Sequence, residues 1–399
     1  MRLGLCLMLV VALLASSAFA AKVKPVSELT SFPENDKEYT LWQLAGEHES
    51  RIDEQQRRYR NVAVEAYVKS IVMKMIGSRL DHVNVDIEII LVREPTLSAW
   101  VYPYGDIAIH TGLLAWMENE AQLAAILGHE ISHFLHRHSY RELIVEKQQS
   151  AFGKGLGLLV SAAVAAETGR MPTNLMDGVG NFWTGLVTNG YSRKLEHAAD
   201  EGGLELMADA NYDRGQALLA FKALKQNDVY GAVNVATLWS SHPTLDDRIK
   251  NLEKNILREA RRKGYQPGTV PESHAYYEAI APVLLFNASL DLEDRYFERA
   301  RTALTKYLSI RQEPTAEFLL GESFRKANPD GPDFSMRMAA YGRAIALDET
   351  FAAAHKERGM ALRRQGNSRE ALTEFQRYLS LAPQASDAGI IRGYMADME

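Results

Sequence analysis

Cysteine is almost absent from this chain of 399 residues, whose single thiol belongs to Cys6. That residue lies in the first twenty residues and is not directly preceded by the small residue of a lipoprotein signal. If those residues are a signal that is removed, the mature chain contains no thiol, which excludes disulfides, cysteine nucleophiles and thiolate metal ligands. Any metal must therefore be bound by nitrogen and oxygen donors.

Concentrated basic patches and long apolar runs are also lacking. The formal net charge of −6 argues against a nucleic-acid partner. The apolar run at 155–166 is too short to span a bilayer, which takes ~20 residues. It precedes a glycine-rich stretch at 169–190, and the composition leaves three roles open: a lid or plug over a cleft, contact with a membrane surface, or core packing.

The first twenty residues have the three parts of a secretory signal. Arg2 supplies the positive charge, Leu3–Leu14 the apolar stretch, and Ala18 and Ala20 the small residues of a cleavage site. An amino-terminal membrane anchor is the alternative, but the apolar stretch is too short for one. The pattern predicts cleavage after Ala20 and export of the mature chain.

The length of the remaining chain and the positions of its glycine and proline residues favour two domains. A hydrophobic fraction of 46% and a charged fraction of 24% are typical of globular proteins. Glycine and proline at 264–271 indicate a boundary. We expect a domain at 21–265 of the α+β class, mostly helical with a small sheet, and an all-α domain at 266–399.

Hydrophobic periodicity predicts the elements of the first domain. The predicted helices are 41–76, 118–149, 194–210 and 214–225, and the predicted strands are 83–92 and 106–110.

A metal-binding pattern lies within the predicted helix at 118–149. His129 and His133 are four residues apart, so their imidazoles share one helical face and can bind a single ion. Glu130 is offset by one residue, so it can act as general base on a water activated by the metal. The alternative is a helix that merely carries two surface histidines, which the apolar context disfavours.

A catalytic zinc site needs a third protein ligand and an open position. Glu196 is the best candidate, and Asp200 lies on the same helical face. Asp200 can accept the free N–H of a zinc-bound histidine and so fix its tautomer. The alternative is an ordinary solvated acidic face.

Together these motifs resemble the gluzincin metallopeptidases of the BepA/HtpX and CAAX-prenyl-protease type. The similar stretches are Gly128–His138, Glu196–Asp200, Ser241–Thr244 followed by Arg248, and Ala99–Leu114. They lie within residues 41–257 of the chain. One departure is Ser98, where the family usually has asparagine.

The resemblance implies a zinc-dependent endopeptidase with one Zn²⁺ per chain. It assigns His242 and Arg248 to stabilising the negative charge on the substrate carbonyl, although both residues could instead only anchor a helix. A neutral His242 could also be a fourth zinc ligand that keeps the resting enzyme latent. In the family, residues matching Ala108, Ile109 and His110 form an edge strand, which would dock an extended peptide.

The second domain carries the spacing of tetratricopeptide repeats. Gly359, Ala371, Phe375 and Pro383 fit one unit, and an earlier unit contains an insertion near 328–333. Repeats of this kind bind peptides or partner proteins, unless they serve only as a helical cap.

The combination of a secretory signal, protease motifs and repeats resembles periplasmic proteins that act in the quality control of outer-membrane proteins. We expect unfolded or misassembled protein substrates, an outer-membrane assembly complex as a partner of the repeats, and peripheral membrane contact. The alternative function is a chaperone-like repeat scaffold with a largely latent zinc site.

Overall fold

The computed structural model describes residues 23–145, 190–229, 245–264, 273–329, 331 and 333–398. The predicted signal peptide, most of the segment at 155–190 and His242 lie outside these residues. The described helices are α1 (Asp36–Glu54), α2 (Val62–Ile76), α3 (Thr111–Trp116), α4 (Glu120–Leu135), α5 (138–145), α6 (Arg193–Asp209), α7 (Gly215–Val229), α8 (Leu245–Lys263), α9 (His274–Glu293), α10 (Phe297–Leu308), α11 (Pro314–Ala327), α12 (Phe334–Leu347), α13 (Ala352–Arg364), α14 (Ser368–Leu381) and α15 (Ala388–Ala396). Short 3₁₀ turns are present at Val26–Glu28 and Gly77–Leu80.

The sheet has three strands, β1 (Ile89–Val92), β2 (Ala99–Val101) and β3 (Ile107–His110), in the spatial order β1-β3-β2. β2 and β3 are antiparallel. Every residue of β1 and β3 is buried, as expected of strands covered by helices. The prediction of a mostly helical α+β fold with a small sheet is confirmed.

The predicted helical segment at 41–76 is in fact two helices. Asn35 and Asn61 cap α1 and α2, each accepting hydrogen bonds from backbone N–H groups of the first turn. Between the helices, Arg58 forms an isolated antiparallel bridge with Val92 of β1. Helical periodicity alone misses this break because the polar linker carries no proline or glycine.

The described chain forms two compact units. The first contains Met1–Val92, Ser98–Ile109 and Ala121–Val270, and the second contains Arg93–Leu97, His110–Glu120 and Pro271–Glu399. The second unit therefore combines the carboxy-terminal helices with α3 and a short loop from the amino-terminal half. The domain boundary at 265/266 stays a prediction.

Lys306 of α10 connects the carboxy-terminal helices of the second unit to α3. Its buried Nζ donates to the carbonyl oxygens of Ala115, Trp116 and Met117 at 3.0, 3.0 and 3.1 Å. These are carbonyls at the carboxyl end of α3, which have no partner within the helix. The lysine thus acts as a carboxy-terminal cap supplied from another element.

The carboxy-terminal helices form hairpins in which each helix packs against the next in sequence. In two hairpins a glycine lies under an aromatic ring of the second helix. A Cβ atom at Gly321 would be 2.4 Å from Tyr341, and one at Gly359 would be 2.7 Å from Phe375. Gly359 and Phe375 are two of the positions on which the predicted tetratricopeptide repeat rests, and the repeat itself stays a prediction.

We predict that Lys306→Met destabilises the second unit. The substitution keeps an apolar stem but leaves buried carbonyl groups of α3 without a donor, which costs about 1–3 kcal/mol. Urea unfolding monitored by circular dichroism measures the effect. Lys326→Met, at an exposed position of α11, is the matched control and should unfold like the wild type. Equal stability of both variants would contradict the capping role.

Candidate metal centre

The metal centre is built where α4 and α6 come into backbone contact. A Cβ atom at Gly203 would lie 3.0 Å from the backbone nitrogen of His129 and 3.1 Å from the carbonyl carbon of Gly128. A Cβ atom at Gly202 would lie 2.3 Å from Ser132 Oγ. Only glycine permits so close an approach. The sequence analysis did not identify Gly202 and Gly203 as the residues that permit this contact.

The contact brings three side chains from two helices to one point. His129 Nε2 and His133 Nε2 are 3.1 Å apart. Glu196 Oε2 lies 3.5 Å from His129 Nε2, and Glu196 Oε1 lies 3.7 Å from His133 Nε2. All three side chains are buried. The structure therefore unites the three residues that the sequence predicts as ligands.

These donors fit a zinc ion. Ligand bonds of 2.0–2.1 Å in a tetrahedral site place the donor atoms roughly 3.3–3.4 Å apart. The observed separations are close to this value, and the donors are two nitrogens and one carboxylate oxygen, a set typical of catalytic zinc. Glu130 is on the same helix as both histidines and is also buried.

Asp200 and Arg248 form a buried ion pair beside His129. Asp200 Oδ1 lies 3.0 Å from His129 Nδ1, so it can accept the proton of that nitrogen while Nε2 faces the metal. Arg248 donates to both oxygens of Asp200, at 2.9 and 2.6 Å. Burial alone would raise the pKa of Asp200, but the guanidinium charge outweighs it and holds the pKa well below its ordinary value. Asp200 is therefore a carboxylate that orients His129.

His129 is held in its neutral form. Burial, and then the positive charge of Arg248, lower the pKa of its imidazole, although Asp200 acts in the opposite direction. A neutral imidazole has a lone pair available for a metal ion.

The other ligand histidine has partners that the sequence analysis did not assign. The ring of Tyr191 stacks on His133 with a centroid distance of 3.9 Å, and its hydroxyl is 2.8 Å from Ser139 Oγ. His138 Nδ1 lies 3.0 Å from His133 Nδ1. The predicted helix at 118–149 is not continuous, because α4 ends at Leu135 and α5 begins at His138.

Arg248 does not have the surroundings predicted for a catalytic donor. Its guanidinium is fully buried, and besides Asp200 it contacts Glu196 Oε2 at 3.0 Å. Its Nη2 also lies 3.1 Å from His129 Nδ1, so these contacts support a role in holding the ligand set in place. A role of Arg248 at the substrate carbonyl stays a prediction. His242, the other predicted donor, lies outside the described residues, so neither of its two predicted roles is tested.

The predicted edge position of the substrate-binding strand is wrong. Ala108, Ile109 and His110 belong to β3, which is the middle strand of the sheet. On one side Ala108 pairs with Trp100 of β2, and on the other the N–H of Ile107 donates to Glu88. Main-chain groups that are already paired cannot bind a peptide. His110 contacts Thr96 instead, at 2.5 Å.

We predict that Asp200→Asn weakens zinc binding by roughly 10–100-fold, because an amide neither holds Arg248 nor orients His129 as a carboxylate does. Competition with a chromophoric chelator measures the dissociation constant. Glu201→Gln, at the exposed neighbouring position, removes the same charge and should leave it unchanged. Wild-type zinc affinity in the Asp200→Asn protein would contradict the role of Asp200 in orienting His129.

Comparison with known proteins agrees with this site. Residues 63–256 match the model of peptidase family M48. The beta-barrel assembly-enhancing protease of Escherichia coli strain K12 is 24% identical over 284 residues, which is 71% of this chain and 51% of that protein. The mitochondrial metalloendopeptidase OMA1 of Schizosaccharomyces pombe is 32% identical over 179 residues, which is 44% of this chain and 48% of that protein.

A putative beta-barrel assembly-enhancing protease of Vibrio cholerae is 24% identical over 269 residues, covering 66% of this chain and 53% of its own length. The chain thus spans about half the length of the curated relatives that it matches. Among the helices of the described ranges, none is both long and apolar enough to cross a membrane.

Proposed function

Residues 63–256 form a domain of peptidase family M48, and from this premise we propose that the chain is an exported, zinc-dependent endopeptidase. The observation that carries the proposal is the convergence of His129, His133 and Glu196 on one point, with Glu130 on the same helix. This ligand set is typical of zinc peptidases, which hydrolyse a peptide bond by adding water to its carbonyl group.

His129 and His133 would hold a zinc ion through Nε2, and Glu196 would contribute a negative charge. When bound, zinc would supply a Lewis acid that polarises a carbonyl group and lowers the pKa of a water molecule. Glu130 accepts the proton of the attacking water and then delivers it to the leaving amide nitrogen. Arg248 and Asp200 keep His129 and Glu196 in position.

We further propose that the substrates are unfolded or misassembled outer-membrane proteins in the periplasm. Two lines of evidence support this. The secretory signal at 1–20 predicts export. The matched relatives in Escherichia coli and Vibrio cholerae are described as beta-barrel assembly-enhancing proteases.

We propose that the carboxy-terminal hairpins, in which Gly321 and Gly359 lie against aromatic rings, are tetratricopeptide repeats. We propose that they bind client proteins or an outer-membrane assembly complex, while the M48 domain cleaves. We also propose that the protein contacts the membrane peripherally.

Glu130→Gln tests the mechanism directly. We expect this variant to retain one zinc per chain, because the ligands are unchanged, and to lose cleavage of an unfolded outer-membrane β-barrel protein. Elemental analysis and gel electrophoresis measure the two properties. Glu205→Gln, at an exposed position of α6, should cleave normally. If Glu130→Gln cleaves at the wild-type rate, the general-base assignment fails; if the wild type also leaves the substrate intact, the scaffold function is favoured.

A trapping experiment tests the substrate class. Glu130→Gln produced in the periplasm should retain uncleaved clients, and cross-linking with mass spectrometry should recover outer-membrane β-barrel precursors. The same variant with His133→Ala, which loses the metal, separates capture at the metal centre from capture elsewhere. Recovery dominated by soluble periplasmic proteins would contradict the proposed substrate class.

A further inference from the structure

His138 is buried against the metal centre without being one of its predicted ligands. Its side chain has no exposed surface. Its Nδ1 lies 3.0 Å from Nδ1 of His133, and the two rings meet nearly edge to face, with centroids 4.8 Å apart and planes at 83°. This nitrogen of His133 is on the far side of the ring from Nε2, the atom that faces His129 and Glu196.

The 3.0 Å separation of these two nitrogens is that of a hydrogen bond. A hydrogen bond between them contains one proton, which belongs to either His133 or His138. If His133 binds zinc through Nε2, its proton must be on Nδ1, so His133 donates and His138 accepts. The reverse arrangement would move the proton of His133 to Nε2 and block the metal.

A break in the helical backbone between α4 and α5 places His138 at this position. Arg137, between α4 and α5, has a φ of 54°, in the left-handed region that a non-glycine residue rarely adopts. Its buried guanidinium holds the turn, donating to Glu38 at 2.8 and 2.7 Å and to Glu34 at 2.8 Å. His138 follows His133 by five residues, so in a continuous α4 the two side chains would lie on different faces of the helix. The turn brings it back onto the ligand.

We propose that His138 is the positioning residue of His133, as Asp200 is of His129. Each ligand histidine then has its own acceptor, a carboxylate for one and an imidazole for the other. The imidazole adds no negative charge, so the ligand set keeps the net charge that Glu196 and Asp200 already give it. The inference rests on the proposed zinc site, and it concerns metal affinity and tautomer rather than catalysis.

Three substitutions at His138 separate hydrogen bonding from packing. Asparagine places its amide oxygen where Nδ1 stands, and glutamine places it one atom farther along the side chain. Leucine fills space without an acceptor. We expect His138→Leu and His138→Gln to bind zinc roughly 10–100-fold more weakly than the wild type, and His138→Asn to recover most of that loss. Competition with a chromophoric chelator measures the affinities.

The matched control is His136→Leu in the same turn. His136 is partly buried, and its Nδ1 lies 2.9 Å from the carbonyl oxygen of Ser132. This variant should keep wild-type affinity. Thermal unfolding of the zinc-free proteins reports whether each one folds. If His138→Leu does not fold, the zinc affinities of His138→Asn and His138→Gln still test the proposal.

Long-range ¹H–¹⁵N spectra of the histidine side chains give a readout independent of activity. In the zinc-free protein, His133 should be the Nδ1–H tautomer in the wild type and in His138→Asn. It should become mainly Nε2–H or a mixture in His138→Leu. An unchanged tautomer in His138→Leu, or equal zinc affinity in the asparagine and glutamine variants, would overturn the proposal. A wild-type protein that binds no zinc would instead refute the proposed function.

Discussion

The backbone contact between α4 and α6 is the constraint on which the metal centre depends. Gly128 and Gly203 allow the two helices to approach until a single Cβ atom would disturb the packing. At this separation Glu196 reaches the two histidines of α4, and Asp200, one turn later, reaches His129 from behind. Side chains at the contact would push the carboxylates away from the histidines, and the ligand set would not form.

Burying this many charged groups requires that each has a partner. Arg248 contributes the positive charge that pairs with Asp200 and Glu196. An unpaired buried carboxylate costs several kcal/mol, so the arginine is needed for folding as well as for geometry. Burial, together with this positive charge, lowers the pKa of His129, so the imidazole keeps a lone pair available for the ion. Fold stability and metal affinity therefore depend on one network.

Much of the site could be predicted from local spacing. His129 and His133 are one helical turn apart, and so are Glu196 and Asp200. This spacing can be seen directly in the sequence. The partners of His133 could not be predicted this way. Tyr191 is distant in sequence, and His138 reaches the ligand only because Arg137 adopts a left-handed conformation stabilised by Glu38. Such a break depends on a tertiary ion pair, which periodicity does not reveal.

The sheet illustrates the same limit. Alternating hydrophobicity identified β1 and β3, but strand order depends on pairing between segments that are not adjacent in sequence. The short β2, three residues long, carries little periodicity, and its pairing with β3 makes β3 the middle strand. The division of the fold is non-local too, since α3 belongs with helices that follow it by more than a hundred residues.

The most direct test of this account is X-ray absorption spectroscopy at the zinc edge of the purified full-length chain. The account predicts one zinc per chain with nitrogen and oxygen donors at about 2.0–2.1 Å, including the scattering pattern of at least two imidazole rings. The His133→Ala protein should lose this signal. A chain that retains no zinc, or a coordination shell without the imidazole pair, would contradict the account.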